Sequence, residues 1–374
     1  MRKILKGIDK QLLFLSILLF AFGLIMVYSA SNVTAFYVYG NSSGEYFLKQ
    51  GLFLILGIFG FFFFLRFSSK KYYSLSKLGL VVFTTLIGFL VLYGTATNGS
   101  KNWIGIKGFG VQPSEFAKIA IIPFMAMFYE KYKEYTSSYK VYIPVAISVF
   151  IFILIILQND YGTALIFIAI SYFLFFFSNA KKKYKTWLAL LGIVGVLFVT
   201  LLVSTGNIPK EKLIRLESNK DPCKTENYLN QGNQLCNSYI AINGGGILGK
   251  GLGNSTQKYL YLPEAYTDYI FAIIVEELGL VGGTALVVLY FLLIIKIVRI
   301  GKKSVKDSHA MICYGVAIYL FLHIIINLFG VLGIVPLTGI PLPFMSYGGS
   351  FAWSMILALT MVQRINYETN LKKD

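Results

Sequence analysis

The chain places acidic side chains beside apolar segments, where a carboxylate can act as a base. Asp268 follows the polar stretch 262–267 and begins a long apolar segment. A carboxylate at an apolar boundary is less hydrated, so its pKa rises and it can accept a proton near neutral pH. An acid at a helix start is also favoured by the helix dipole, so capping is the alternative interpretation. Glu264, in the same stretch, is a second candidate for the base.

Two further acids, Glu276 and Glu277, lie deeper in that apolar segment. Inserting an Asp, Lys or Arg at the centre of a membrane span costs about 2.5–3.5 kcal/mol of free energy. An ionisable residue in a span therefore indicates a functional role. Adjacent residues point to different faces of a helix. We therefore expect at most one of the two to line a site and the other to need a basic partner.

A third polar group precedes another apolar segment. Glu115 and Lys118 are three residues apart and share a helix face. They form either a helix start, capped by Ser114, with a lysine that extends toward the membrane surface, or an intramembrane ion pair that supports a polar cavity. Asp160 lies in a tight turn between two apolar segments, and its pattern favours a helix N-cap.

A glycine-rich stretch at residues 244–251 nearly matches a nucleotide-binding P-loop. Gly251 stands where the magnesium-binding hydroxyl would be, and the topology derived below puts the stretch outside the cell, away from ATP. The P-loop interpretation is therefore rejected. The backbone could still cradle a phosphate beside Lys250, and a flexible loop is the alternative.

Three prolines interrupt residues 333–350, an apolar stretch near the C-terminus. Proline forbids regular helix, and non-helical backbone at membrane depth must be buried in protein or line a cavity. We predict a re-entrant or capping loop over a groove that is accessible to lipid.

The composition fixes the class of protein that must position these residues. Of 374 residues, 56% are hydrophobic and 14% are charged, whereas soluble globular proteins carry about 25% charged residues. Soluble enzyme folds are excluded, and two histidines without clustered cysteines argue against a zinc site. We predict one all-α, polytopic integral membrane domain over residues 1–374. Ten spans are expected, at residues 11–30, 47–65, 77–95, 115–130, 141–157, 162–179, 186–205, 268–295, 309–332 and 348–364.

The positions of lysine and arginine predict the orientation. If both termini are cytoplasmic, the inner segments and the span ends beside them hold 23 of the 34 basic residues, and the four short outer loops and the span ends beside them hold 3. This is the asymmetry that the positive-inside rule describes. Residues 206–267 then form one large extracellular loop before the eighth span, part of the catalytic face. The basic clusters face anionic lipid of the inner leaflet, so the net charge of +17 requires no nucleic acid partner.

Two of the three cysteines, Cys223 and Cys236, fall in the large loop. Outside the membrane such a pair can oxidise, so we predict a disulfide that closes a small loop, with two free thiols as the alternative. Cys313 lies in the ninth span and is expected to serve packing.

Seven separated motifs, in order, resemble the SEDS family of bacterial cell-wall proteins, the RodA and FtsW proteins. The matching segments cover almost the whole chain and lie at residues 26–31, 112–118, 160–164, 241–253, 262–268, 276–279 and 336–350. The opening motif at residues 26–31 is closer to the division branch, FtsW, than to the elongation branch. The chain differs from the residues usual in the family at Asn102, Asn159, Tyr161 and Phe351. These differences bear on how the loops pack and not on membership of the family.

The resemblance implies a peptidoglycan glycosyltransferase of the bacterial plasma membrane. Its substrates would be lipid II and the nascent glycan strand, its catalytic acid Asp268, and its intramembrane polar pair Glu115 and Lys118. It also implies a class B penicillin-binding protein, a transpeptidase, as partner, together with membrane proteins of the divisome or elongasome.

The chemistry of this transfer requires only one carboxylate. The acceptor hydroxyl must lose a proton, whereas the pyrophosphate leaves without a partner acid, unlike the leaving group of a glycosidase. The pyrophosphate needs positive charge, and the candidates on the outer side are Arg215, Lys250, Lys258, the glycine-rich backbone and a divalent cation such as Mg²⁺.

Two other functions remain open from the sequence. A lipid II flippase would use Glu115, Lys118 and Glu276 along a headgroup pathway and would tolerate the loss of Asp268. A noncatalytic scaffold that recruits a transpeptidase would need no acid at that position. The clustering of polar residues on the outer side favours the enzyme.

Overall fold

The computed structural model describes residues 7–96, 99–106, 109–205, 220–229 and 232–371. Within these ranges the chain is nearly all helical, with twelve α-helices and one small hairpin. In chain order the helices are α1 (Lys10–Tyr37), α2 (Glu45–Leu65), α3 (Tyr72–Tyr93), α4 (Pro113–Lys131), α5 (Ile143–Leu157), α6 (Tyr161–Phe177), α7 (Lys182–Ser204), α8 (Thr225–Tyr228), α9 (Asn233–Gly245), α10 (Ile270–Lys303), α11 (Asp307–Val331) and α12 (Gly349–Asn370). Short 3₁₀ turns precede α3 and α5, at Ser69–Lys71 and Tyr139–Tyr142.

A helix lies at each of the ten predicted positions. Among the described residues, six helices are long and apolar enough to cross a membrane by length and composition alone. They are α1, α2, α3 and α5 with their preceding turns, α10 and α11. The fold class is corrected in one detail, because strands β1 (Ile104–Ile106) and β2 (Phe109–Val111) form an antiparallel hairpin before α4.

Helix boundaries follow local chemistry. The Asp9 side chain accepts a hydrogen bond from Leu12 N and starts α1. Pro113 occupies the first turn of α4, where its missing N–H is not needed. Most residues of α4 are buried, and its neighbours include α3, α6, α11 and α12. Helix α4 therefore lies in the core and carries polar side chains there.

Both ends of the described chain lie together at one end of the bundle. The Asp9 amide donates to Gln363 Oε1 over 2.9 Å, and Asn366 Nδ2 donates to the Gly7 carbonyl over 3.0 Å. Asp9 also pairs with Lys296, near the C-terminal end of α10, over 2.8 Å. Asp268 precedes the N-terminal end of α10. The chain ends and Asp268 thus lie at opposite ends of the bundle.

Candidate active site

Asp268 lies in an irregular segment, residues 262–269, directly before α10. The N-cap of α10 is Tyr269, and it makes no side-chain cap hydrogen bond. Capping by Asp268, the alternative interpretation from the sequence, is therefore wrong. The Asp268 side chain is partly exposed, and within the described ranges its carboxylate forms no hydrogen bond or ion pair.

The surroundings of Asp268 suit a proton acceptor. The surrounding protein removes much of the water from the partly exposed Asp268 carboxyl. This loss of hydration, and secondarily the negative charge of Glu264, raise the pKa of the carboxyl to about 7. A base of this pKa is half deprotonated at neutral pH and still binds a proton well. Glu264 is exposed and accepts a hydrogen bond from Thr267 Oγ1 over 2.7 Å, so it is held within its own turn.

The proline-rich stretch forms one wall beside Asp268. Residues 332–348 contain no regular helix, as the sequence predicts, and Leu342 and Phe344 are buried. Ser346 Oγ donates to the Thr267 carbonyl over 2.6 Å, and the Tyr347 amide donates to the Tyr266 carbonyl over 3.0 Å. These bonds fix the loop against the segment that carries Asp268.

Asn327 of α11 hydrogen-bonds both to the segment that carries Asp268 and to the proline-rich loop. Its Nδ2 donates to the carbonyls of Asp268 and Ile340, each over 2.8 Å. Its Oδ1 is buried without a hydrogen-bond partner among the described residues. Asn327 is not among the residues predicted from the sequence. The available signal was the pair of polar residues His323 and Asn327, spaced one turn apart within an apolar helix.

Glu115 and Lys118 form the buried ion pair that was one of the two sequence interpretations. The atoms Lys118 Nζ and Glu115 Oε1 are 2.8 Å apart, and both side chains are almost fully buried. Lys118 Nζ also lies 3.0 Å from His323 Nε2, and His323 Nδ1 lies 3.4 Å from the Pro341 carbonyl. Because the ammonium group only donates, Nε2 accepts and the imidazole carries its proton on Nδ1. The pair thereby supports the proline-rich loop.

Asp160 is an N-cap, as its pattern favours. Its carboxylate accepts from the Thr163 amide over 3.1 Å at the start of α6. It also accepts from Asn102 Nδ2 over 2.6 Å and from Gln112 Nε2 over 2.8 Å. Gly162, two residues later, packs against the backbone of Thr338 in the proline-rich loop. Three donors thus hold the Asp160 carboxylate in place, which indicates a structural role for it.

Helix α10 is broken at Gly279, whose φ is 71° and ψ is −177°. The glycine-rich stretch fills this break with its own backbone. The amides of Lys250 and Gly251 donate to the carbonyls of Glu276 and Glu277 over 3.0 and 2.9 Å. The amides of Leu280 and Val281 in turn donate to the carbonyls of residues 246 and 247 over 2.9 and 3.2 Å. The bonds that a continuous helix would make between these groups are thus replaced one for one.

Glycine is required for this close approach. A Cβ at Gly245 would lie 2.0 Å from the Val275 carbonyl oxygen, and one at Gly249 would lie 2.3 Å from the Glu277 carbonyl oxygen. The hypothesis of a phosphate cradle is therefore not supported for Lys250 and Gly251, because their N–H groups are already hydrogen-bonded inside the protein. These glycines allow the backbone of the glycine-rich stretch to approach the backbone of α10 closely. Their role is not to make the stretch flexible.

Both acids at the break have basic partners. Lys250 Nζ lies 2.6 Å from Glu276 Oε1, and Lys258 Nζ lies 3.1 Å from Glu277 Oε1. Ser29 of α1 also donates to Glu277 over 2.7 Å. Neither acid is left free to line a site.

These pairs change the role predicted for two lysines. The Lys258 side chain is buried, and its amine also donates to the Gly253 carbonyl over 2.6 Å, which contradicts its assignment to pyrophosphate. Lys250 is one-third exposed but already holds Glu276. Arg215, the third predicted cation, lies outside the described residues.

A disulfide joins Cys223 to Cys236, across the start of α9. Helix α9 in turn contacts the end of α11, where Ser238 Oγ donates to the Val331 carbonyl over 3.0 Å. Cys313 is free and buried. Helix α9 of the large loop is therefore packed onto α11. No group of three or more His, Cys, Asp or Glu side chains that could hold a metal ion occurs in the ranges described.

Known proteins resemble this chain over nearly its whole length. The family model of the FtsW, RodA and SpoVE cell cycle proteins matches residues 10–371. Stage V sporulation protein E of Bacillus subtilis (strain 168) is 36% identical over 363 residues, covering 96% of both proteins. Probable peptidoglycan glycosyltransferase FtsW of the same organism is 35% identical, covering 100% of this chain and 95% of that protein.

A solved structure shares the fold. It is a chain from work on the structural coordination of polymerization and crosslinking by a peptidoglycan synthase complex. It superposes with a TM-score of 0.75 at 21% identity and covers 96% of this chain and 97% of its own.

Proposed function

Because the chain belongs to the family of FtsW, RodA and SpoVE cell cycle proteins, we propose that it is a peptidoglycan glycosyltransferase whose base is Asp268. It is a multi-pass protein of the cell membrane. Its reaction polymerises lipid II into glycan strands. The observation that carries the assignment of the base is the Asp268 carboxylate, which has a pKa of about 7 and makes no hydrogen bond within the described structure.

Asp268 accepts the proton of the 4-hydroxyl of the acceptor N-acetylglucosamine. As the proton leaves, the hydroxyl oxygen forms a bond to the anomeric carbon at the lipid-linked end of the growing strand. The bond between that carbon and the pyrophosphate oxygen breaks, and undecaprenyl pyrophosphate leaves with the electron pair. Asn327 and the proline-rich loop hold the backbone of Asp268 during this transfer.

Positive charge for the pyrophosphate comes from Arg215 or from a divalent cation such as Mg²⁺. A hard cation of this kind prefers carboxylate oxygens together with substrate phosphates, and Glu264 would supply a carboxylate while Asp268 stays free to accept the proton. When bound, the ion would neutralise charge on the leaving pyrophosphate.

The proposed topology has ten spans, with both termini cytoplasmic and residues 206–267 outside. The asymmetry of basic residues supports this orientation. The contact between residues 7–9 and α12 supports placing both termini on one side. Asp268 then lies at the outer surface, where the substrate headgroup and the glycan strand are.

A class B penicillin-binding protein is the proposed partner, along with divisome or elongasome membrane proteins. Support comes from the shared fold with a chain of a peptidoglycan synthase complex that coordinates polymerization and crosslinking. Two close relatives, a sporulation protein and FtsW, favour a role in septal synthesis over elongation.

The test is polymerisation of lipid II by the purified protein together with its transpeptidase, whose own active site is inactivated. We expect polymer from wild type, none from Asp268→Ala or Asp268→Asn, and polymer from the control Glu45→Gln, which changes a carboxylate in the partly exposed pair with Lys49. Equal polymer from wild type and the Asp268 variants would refute the base assignment and move the search to Asp160 and Glu264. No polymer from any sample, with lipid II flipping intact, would favour the flippase.

A further inference from the structure

The end of the bundle opposite Asp268 contains a cavity of about 470 Å³. It opens between the start of α3, the end of α4 and the start of α11. Its lining includes three lysines, Lys70, Lys131 and Lys306, and one acid, Glu130. The excess of positive charge makes it suited to an anion.

The positive charge of the lining is only partly neutralised by the protein. Lys306 Nζ lies 3.7 Å from Glu130 Oε1. Lys70 and Lys131 form no ion pair with any residue in the part of the chain that the structure describes. The Lys131 amine instead lies 5.2 Å from the centre of the Tyr73 ring, which also lines the cavity. Two ammonium groups thus remain available to a ligand.

The Glu130 carboxylate in the lining can accept a hydrogen bond from a ligand. Its Oε2 is buried and has no hydrogen-bond partner among the described residues. Buried acceptors in native structures are normally paired. A ligand that carries hydroxyl groups beside its anionic group would supply the missing donor.

The cavity continues into an apolar surface. Ser74 lines it, and Leu78 and Val81 follow at four and seven residues along α3, on the same helix face. Both side chains are strongly exposed, at 63% and 64%. An acyl chain could therefore lie along α3 while its headgroup occupies the cavity.

We propose that this cavity binds the phosphodiester headgroup of an anionic membrane lipid, with phosphatidylglycerol as the best fit. Lys70 and Lys131 hold the phosphate, and Lys306 adds positive charge from its pair with Glu130. A glycerol hydroxyl donates to Glu130, and one acyl chain follows Leu78 and Val81. Basic pockets between helices at the cytoplasmic side of membrane proteins bind anionic headgroups in this way. Under the proposed topology the lipid belongs to the inner leaflet.

The experiment measures retained lipid on the full-length protein in uncharged detergent by native mass spectrometry. The test variant combines Lys70→Gln, Lys131→Gln and Lys306→Gln. The matched control combines Lys182→Gln, Lys183→Gln and Lys185→Gln, which removes the same charge at the start of α7, at the same end of the bundle. Phosphatidylcholine and glycerol 3-phosphate serve as the zwitterionic lipid and the free phosphate ester.

We expect wild type and control to retain phosphatidylglycerol over phosphatidylcholine, and the triple variant to bind it at least about tenfold more weakly. Lys131→Gln alone, at an exposed position, should weaken binding about fivefold and keeps the test valid if the triple variant unfolds. Equal retention by test variant and wild type, or equal loss in the control, would overturn the proposal. Displacement by glycerol 3-phosphate at equal concentration would show a free-anion site instead. This readout is independent of polymerase activity.

Discussion

Asp268 and the pair Glu276 and Glu277 lie within ten residues of each other, yet their carboxylates have opposite environments. Glu276 receives hydrogen bonds from Lys250, Ser255 and Thr256. Asp268 receives none at its carboxylate within the described structure, and only its backbone carbonyl is held, by Asn327. A buried acid with full partners stabilises the fold, whereas an acid without them keeps its proton affinity for a substrate.

Substitution of Asp268 should have the largest effect on the rate and should not lower the stability at neutral pH. Asp268→Asn preserves shape and removes the base, so polymerisation should fall by about 10²–10⁴-fold. The melting temperature at neutral pH should not fall, because no hydrogen bond to the carboxylate is lost. Glycan gels and thermal unfolding of the same preparation measure both. A large loss of stability would mean that Asp268, like the glutamates, is structural.

Removal of Glu277 should give the opposite result. Glu277→Ala leaves the Lys258 ammonium buried without an anionic partner, which should cost about 3–5 kcal/mol of stability. The double variant Glu277→Leu with Lys258→Met should recover most of it, because both charges are gone. The control is Glu45→Ala in the more exposed Glu45–Lys49 pair, worth about 0–1 kcal/mol. Chemical or thermal unfolding in detergent measures these differences, and equal effects at both pairs would contradict the comparison.

The pH dependence should follow the raised pKa of Asp268. Below a pKa of about 7 the carboxyl is protonated, so the rate should fall about tenfold per pH unit, and above it the rate should level. Because folding raises this pKa, the folded protein binds a proton at the Asp268 carboxyl more tightly than the unfolded chain does. This tighter binding stabilises the folded protein fully at acid pH, and the stabilisation is lost as the pH rises to about 7. The melting temperature of Asp268→Asn relative to wild type should therefore increase from about pH 4 to about pH 7. A rate that does not change with pH would contradict the assignment of Asp268 as the base.

Asn327 should show a smaller effect through position alone. Asn327→Leu removes two hydrogen bonds, to Asp268 and Ile340, and should cost about 1–3 kcal/mol of stability. The rate should fall about tenfold, because the base is misplaced but not removed. The midpoint of the pH profile should stay near that of wild type. Asn366→Leu, which removes a hydrogen bond to Gly7 at the other end, should leave the rate unchanged.

Local patterns were sufficient for the helices and for single-turn contacts. Apolar segments predicted the helix positions, and spacing predicted the Asp160 cap and allowed the Glu115–Lys118 pair. The partners of Glu276 and Glu277 were not predictable, because Lys250 and Lys258 lie about twenty residues away through irregular chain. The sequence shows where the charged residues lie along the chain but not which of them form ion pairs. The hairpin before α4 was missed because its strands have only three residues each.

The break in α10 bears on how the protein enters the membrane. Four backbone groups at the break are paired only with residues 246–251. In hydrocarbon each unpaired group would cost several kcal/mol, so α10 cannot be released into the bilayer as a finished independent span. Residues 246–251 precede α10 in the chain, so the backbone groups that complete the break are present before α10 is synthesised. The outer loop and the helix therefore have to pack together for the backbone of α10 to be fully hydrogen-bonded.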